Sequence, residues 1–294
     1  MLSYHHCQEI IYLGGEPSLH PNFAEILCDG SAFGLTQTII TNGQNLTSEF
    51  ASFLSTIPNL QVGISLHGPS AQIHDGLTNV PGSRDKVLRT VSYLEEKKVS
   101  WHIQISVLRD NFELIEEIYS VVAVIGRPER LDLSRMVAEG RGHDQNGFLS
   151  ELQWKEVFVT LDRLKRIGVR CKIESFPRCW VLEVAKERNL NYQLLKECLR
   201  PCSTWLTQIP LDYNGNARFC PTGGLILGNI LSDGLLNVWQ NNPIIHEYRE
   251  FGWLDKPCLN RATGFVCSDF AYCSGGCRRT FGGDMFQVDS LLHL

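Results

Sequence analysis

The sequence predicts an α/β fold, and two observations carry that expectation. Short apolar, β-branched segments alternate with stretches that place apolar residues at i, i+3 and i+4, and this alternation stops near Pro177, where Cys, Gly and Pro become frequent. In chain order the expected strands are Glu9–Gly14, Thr36–Thr41, Gln61–Ser65, Ser100–Val107, Leu131–Val137 and Val169–Glu174. Their near-continuous apolar character suits strands covered on both faces. Helices are expected at Asn22–Cys28, Thr47–Leu54, Asp85–Lys98, Asn111–Ile125 and Leu152–Ile167. Pro21 suits a helix start, and Asn111 and Ser150 are of the N-capping type. Such βα units build a parallel sheet covered by helices. Periodicity leaves open whether the sheet is doubly wound or barrel-like. A boundary is expected between about 178 and 197, bridged by a helix at Val181–Asn189.

The 294 residues, 43% hydrophobic and 20% charged, suffice for one large globular domain or two ordinary ones. A net charge of -5 without a Lys/Arg-rich run argues against nucleic acid or an anionic membrane as the main partner. Apolar stretches fall short of the roughly 20 residues a membrane helix needs. The start, MLSYHHCQEI, lacks the basic and apolar regions of a secretory signal, so the expected location is the cytoplasm. Seven of the eleven cysteines lie after residue 197. For a chain of this length with no signal, that clustering points to metal or cluster ligation in preference to a disulfide framework.

Gly14-Gly15-Glu16-Pro17 follows directly on the first expected strand. Two glycines at a strand end let the backbone pass close to a ligand, at the end of a parallel strand where α/β proteins bind one. Taken alone, the pair is an ordinary βα turn. Its company is more specific: GGEPSLHPNF, then Thr41-Asn42-Gly43, then SLHGPSAQIHDGLTNVPGSRDKVLRTVSYLEEKKV, and RMVAEGRG at 135–142. This ordered set resembles the radical S-adenosylmethionine (SAM) superfamily over most of residues 8–175. The resemblance implies a partial (β/α)6 TIM-like barrel with a SAM site at Gly14, Gly15, Glu16, Pro17, Thr41, Asn42 and Ser65. The family often carries Asp where this chain has His67, so no role passes to that residue.

The family's catalytic [4Fe–4S] cluster is held by a CxxxCxxC loop ahead of GGEP. Here Cys7 is the only cysteine before Gly14, and it reads as a small buried residue at the entry to the first strand. The resemblance therefore implies a chain cut short, with the catalytic cluster expected only in a full-length parent and no radical chemistry from this polypeptide alone.

In the last hundred residues, CSTWLTQIPLDYNGNARFC spans Cys202 to Cys220 and reads as a hairpin, TWLTQIPLDY and NARFC joined at Asn214-Gly215. Cys198 precedes it, and Cys267, Cys273 and Cys277 follow in a C-x5-C-x3-C run. Four thiolates serve zinc as well as iron, and zinc is the main rival. Cys28, Cys171 and Cys179 read as structural, and His143 and the His5-His6 pair as surface or cap residues. The run, with Gly228, Asn229 and Trp239 between its halves, resembles a SPASM domain over about 198–284. That resemblance implies one auxiliary [4Fe–4S] cluster on Cys198, Cys202, Cys220 and Cys277. A second, on Cys258, Cys267 and Cys273, is incomplete, which implies that the chain is also cut short at its far end.

The resulting expectation is a partial radical SAM barrel over 1–178, a bridging segment over 179–197 and a small Cys-rich SPASM domain with a β-hairpin over 198–294. By the same resemblance the protein is an oxidoreductase or maturase acting on a peptide, a protein side chain or a cofactor precursor. It would abstract hydrogen with a 5′-deoxyadenosyl radical and draw on an external electron donor. No general acid or base is identified. The rival readings are a non-catalytic SAM- or peptide-binding scaffold and a zinc-stabilised α/β protein.

Overall fold

The computed structural model describes residues 7–137, 147–250 and Cys273. Its elements run β1 (Glu9–Tyr12), α1 (Phe23–Ala32), β2 (Thr36–Thr41), α2 (Ser48–Leu54), β3 (Leu60–Ser65), α3 (Ala71–Thr78) and α4 (Ser83–Glu96). There follow β4 (Ser100–Val107), α5 (Ile115–Ala123), β5 (Leu131–Arg135), α6 (Glu151–Arg166) and β6 (Cys171–Glu174). The remainder is α7 (Arg178–Glu187), α8 (Tyr192–Cys198), β7 (Leu199–Arg200), β8 (Asn216–Arg218), β9 (Ile226–Asn229), α9 (Leu235–Asn241) and α10 (Pro243–Arg249).

Seven strands form one parallel, curled sheet in the order of the sequence, β1 to β7. That order resolves what periodicity left open. A doubly wound sheet reverses its order at a switch point, whereas an arc of barrel keeps it. The chain groups into two compact units, residues 1–134 with 149–172, and 135–148 with 173–294.

In the first unit the register sorts the strand side chains into two faces. Paired positions Gly63 and His102, and Ser65 and Gln104, share one face. The opposite face of β3 and β4 carries Val62, Ile64, Trp101, Ile103, Ile105 and Val107, all essentially buried. Val87, Val91 and Leu94 of α4 and Ile115, Ile118 and Val122 of α5 complete that core, at i, i+3 or i+4 spacing. The polar face is closed by a network. Arg130 donates from Nε to both Asp132 carboxylate oxygens at 2.9 Å, from one terminal nitrogen to Gln61, and from the other to His102 Nε2 at 3.1 Å. Gly63 is required there, because a Cβ would lie 2.6 Å from His102 Nε2. Burial, with Arg130 and Lys172 nearby, pushes His102 down to about 3.

Several expectations are corrected. β1 stops at Tyr12 because Gly14 and Gly15 turn the chain into positive φ. Asn111 does not cap a helix. Its Oδ1 accepts from Leu108 N–H at 2.7 Å and its Nδ2 donates to the carbonyls of His67 and Ser106, each at 3.0 Å. The segment consequently opens with a 3-10 turn at Phe112–Leu114 before α5. Ser150 does cap α6, in a capping box with Gln153. Two helices, α7 and α8, occupy the bridging segment where one was expected.

The expected hairpin arm TWLTQIPLDY is not a strand. Its trace is a single bridge, Leu211 to Ala217, and β8 pairs instead with β9. Pro210 has no N–H to give a ladder, and the Asp212 carboxylate accepts the amides of Asn214 and Asn216 and two bonds from Arg218. The chain therefore closes into an Asx turn rather than extending.

Candidate functional site

The site at the carboxyl ends of β1 to β3 is organised by Glu16. One of its carboxylate oxygens accepts from the Ser18 hydroxyl at 2.7 Å, the Ser18 amide at 3.2 Å and the Thr41 hydroxyl at 2.6 Å. The other accepts from the Asn42 amide at 2.7 Å. Thr41 is buried at the end of β2, so one carboxylate fastens the turn after β1 to the end of the neighbouring strand. The Asn42 carboxamide oxygen then accepts from Gln44 N–H at 2.9 Å, and the Gly43 carbonyl accepts from the buried Thr90 hydroxyl of α4 at 2.6 Å. With its acceptors committed inward, Glu16 positions backbone and is not available as a base.

Gly14 and Gly15 stand at φ +85° and +54°, and a Cβ on either would meet nothing within 4 Å. Both glycines therefore lie exposed beside open space, with their conformation set by a turn that L side chains rarely adopt. That is a fit for a ligand approaching the backbone closely. Pro17 begins the 3-10 turn Pro17–Leu19, and Ser65 is half-buried at the end of β3. The structure thus brings Glu16, Thr41 and Asn42 into direct contact and leaves Gly14 and Gly15 open beside them.

Sequence reasoning missed the pair His67 and His74. The His67 amide donates to His74 Nδ1 at 3.0 Å, and their rings stack at 5.8 Å and 19°. Gly68 permits this, since a Cβ there would lie 2.6 Å from the His74 amide nitrogen. Both histidines were visible in SLHGPSAQIHD; the signal was the seven-residue spacing across a Gly-Pro turn into a helix.

In the second unit, Cys202 and Cys220 both pack against one aromatic cluster of Trp205, Phe219 and Tyr248. Their sulfurs lie 3.7 Å from the Thr204 hydroxyl and 3.2 Å from the Thr222 hydroxyl. Cys198 is buried at the end of α8, its thiol donating to the Leu194 carbonyl at 3.4 Å. Cys273 is buried and accepts from the Arg178 amide at 3.2 Å. Cys258, Cys267 and Cys277 lie outside the described residues, as do His5, His6 and His143. Among the described residues no three His, Cys, Asp or Glu side chains are grouped to hold a metal ion. Cys7 is half-buried rather than buried, its thiol donating to the Glu9 carbonyl at 3.3 Å. Cys171 is buried, whereas Cys28 and Cys179 are exposed.

Residues 2–122 match the profile of the radical SAM superfamily, across the GGEP turn and both strand ends that Glu16 joins. The chain contains a radical SAM domain. Over 92% of its length it is 23% identical to an AdoMet-dependent heme synthase of Oleidesulfovibrio alaskensis, covering 69% of that protein. Over 90% it is 25% identical to the mycofactocin maturase MftC of Mycobacterium tuberculosis, covering 64%. In fold it is similar to Streptococcus suis SuiB bound to its precursor peptide SuiA, with a TM-score of 0.71 at 17% identity over 97% of this chain and 65% of SuiB. SuiB bound to S-adenosylmethionine gives 0.72 at 18% identity, over 97% of this chain and 66% of SuiB. The chain spans about two thirds of the length of these proteins. Among the described residues no helix is long and apolar enough to cross a membrane.

Proposed function

We propose that the radical SAM domain binds S-adenosylmethionine at Gly14, Gly15, Glu16, Pro17, Thr41, Asn42 and Ser65, and that the protein is an enzyme that modifies a peptide or a protein side chain. The observation that carries this reading is the Glu16 carboxylate holding two strand ends together beside two positive-φ glycines that face open space. The glycine carbonyls suit a cationic amino group, and the fixed Asn42 backbone suits a polar ligand edge. SAM held by these residues would supply hydrogen-abstracting radical chemistry in an enzyme that also carries a reduced [4Fe–4S] cluster. This chain's own contribution is to hold the cofactor's methionyl end and to keep the mouth of the sheet in shape. Relatives named as a mycofactocin maturase and a peptide-bound SuiB support a peptide substrate. The heme synthase relative supports a second reading, a cofactor precursor. An auxiliary [4Fe–4S] cluster is proposed on Cys198, Cys202, Cys220 and Cys277. Its support is the placement of Cys202 and Cys220 on one aromatic cluster, with Cys198 four residues before Cys202.

Equilibrium dialysis against SAM tests the reading. Binding is expected in the wild type and is lost in Gly15→Val, which needs a strained φ and fills the open space. No binding, or binding indifferent to Gly15→Val, overturns the cofactor site. Anaerobic reconstitution followed by elemental analysis distinguishes iron from zinc at the cysteines. SAM binding by itself accords equally with a recognition scaffold, which substrate turnover by an enzyme carrying the catalytic cluster would refute.

A further inference from the structure

His67 lies two residues past Ser65, at the same end of the sheet as the proposed cofactor site, and its ring is held in one protonation pattern. Ring Nδ1 accepts from the Ser106 backbone N–H at 3.3 Å, while the residue's own carbonyl accepts from Asn111 Nδ2 at 3.0 Å. A ring nitrogen that accepts from an amide bears no proton, so the proton of the neutral imidazole sits on Nε2. His74 is fixed in the same way, its Nδ1 accepting from the His67 amide. The two stacked rings are thus both donors at Nε2. Neither can ligate a metal through that atom without moving its proton to Nδ1, where an amide hydrogen already points. Among the described residues Nε2 of His67 makes no hydrogen bond, and it is not one of the sealed-off polar atoms. Burial, then the adjoining His74, pushes His67 down to about 4, which keeps the ring uncharged at neutral pH.

We propose that His67 is a positioning residue of the mouth, a neutral donor whose Nε2–H holds an acceptor oxygen of the bound ligand. The inference rests on the reading of this sheet end as the SAM site. Two ligands carry such an oxygen there, the nucleoside of SAM and a backbone carbonyl of a peptide substrate. An uncharged donor suits a hydroxyl or amide oxygen and gives no charge preference for a carboxylate.

The test uses protein labelled with ¹⁵N at histidine, followed by long-range ¹H–¹⁵N spectra. His67 is expected as the Nε2–H tautomer in the unliganded protein; the other tautomer, or a rapid mixture, overturns the proposal. Addition of SAM alone shifts the Nε2 resonance if the nucleoside is the partner. A shift that appears only with N-methylacetamide, added as a peptide-carbonyl surrogate over bound SAM, assigns the substrate instead. No shift in either arm overturns the proposal. In the nucleoside case His67→Phe weakens SAM binding about fivefold, the effect of one neutral hydrogen bond, and His67→Gln restores it. Glu16→Gln is the control for the cofactor reading: it weakens SAM binding while leaving the His67 tautomer unchanged. A wild-type protein that binds no SAM sinks that reading alone, and the tautomer, with N-methylacetamide added to the SAM-free protein, still judges His67.

Discussion

Glu16→Ala removes the acceptor that joins the turn after β1 to the end of β2. Ser18 lies beside solvent and re-forms its bonds with water, so its two contacts cost little. The bonds from the Thr41 hydroxyl at 2.6 Å and the Asn42 amide at 2.7 Å are the ones that matter. Thr41 is 2% exposed and gains no water in exchange. A hydrogen bond to a charged group contributes roughly 1.5–3 kcal/mol, and partial exposure places these two toward the lower bound. Their joint loss is about 3 kcal/mol. At about 1.4 kcal/mol per tenfold, the turn opens on the order of a hundredfold more often. The turn can open without the sheet unfolding, so global stability falls by less than the local figure. Amide hydrogen exchange at Asn42 reads the opening directly, and dialysis against SAM reads its consequence. Asn42 exchange within about twofold of wild type refutes the idea that this carboxylate holds the two strand ends.

Gly63→Ala sets a Cβ against His102 Nε2 at 2.6 Å and Ile40 at 2.7 Å, and is expected to cost about 1–3 kcal/mol by urea unfolding. His102 stays neutral down to about 3 when folded, whereas the unfolded chain takes up a proton below about 6.5. Its contribution is therefore intact above about 6.5 and is lost progressively as pH falls toward 3; His102→Gln is expected to flatten the fall of the urea midpoint over that range. Asp75 is held below the usual 3.8, first by the Arg84 amide, so the stability it lends is present above that value and lost as pH falls through the lowered one; Asp75→Asn abolishes this acid limb in thermal melts. After anaerobic reconstitution, Cys198→Ala, Cys202→Ala or Cys220→Ala is expected to lower bound iron per chain, and the exposed Cys28→Ala to leave it unchanged.

The sheet was legible wherever a β-branched run ended at a turn signal. Thr36–Thr41 and Ser100–Val107 agree with the observed β2 and β4 at both ends. What sequence reasoning lost was long-range or competitive. The residues joined by Glu16 lie 25 and 26 positions away; the family resemblance put both segments in one site, but no local pattern registers the bonds between them. Asn111 has the chemistry of a cap, but the nearby Leu108 amide and Ser106 carbonyl and the distant His67 carbonyl claim its carboxamide first. The strand expected before Asn214 fails earlier in the segment, where the Leu206 and Thr207 amides both donate to the Ser203 carbonyl at 2.9 Å and coil the chain into a turn.

Helix α4 has Gly82 at its N-cap, which supplies no side chain, and the Asp75 carboxylate does the work from the preceding helix. It accepts from the amides of Gly82 and Arg84 and from the Ser83 hydroxyl. These bonds span seven to nine residues, so closing that loop forfeits little chain entropy. The segment from Ala71 to Glu96 can consequently organise as a helical pair before the parallel strands on either side have met, offering Val87, Val91 and Leu94 as a ready surface for β3 and β4 to condense upon.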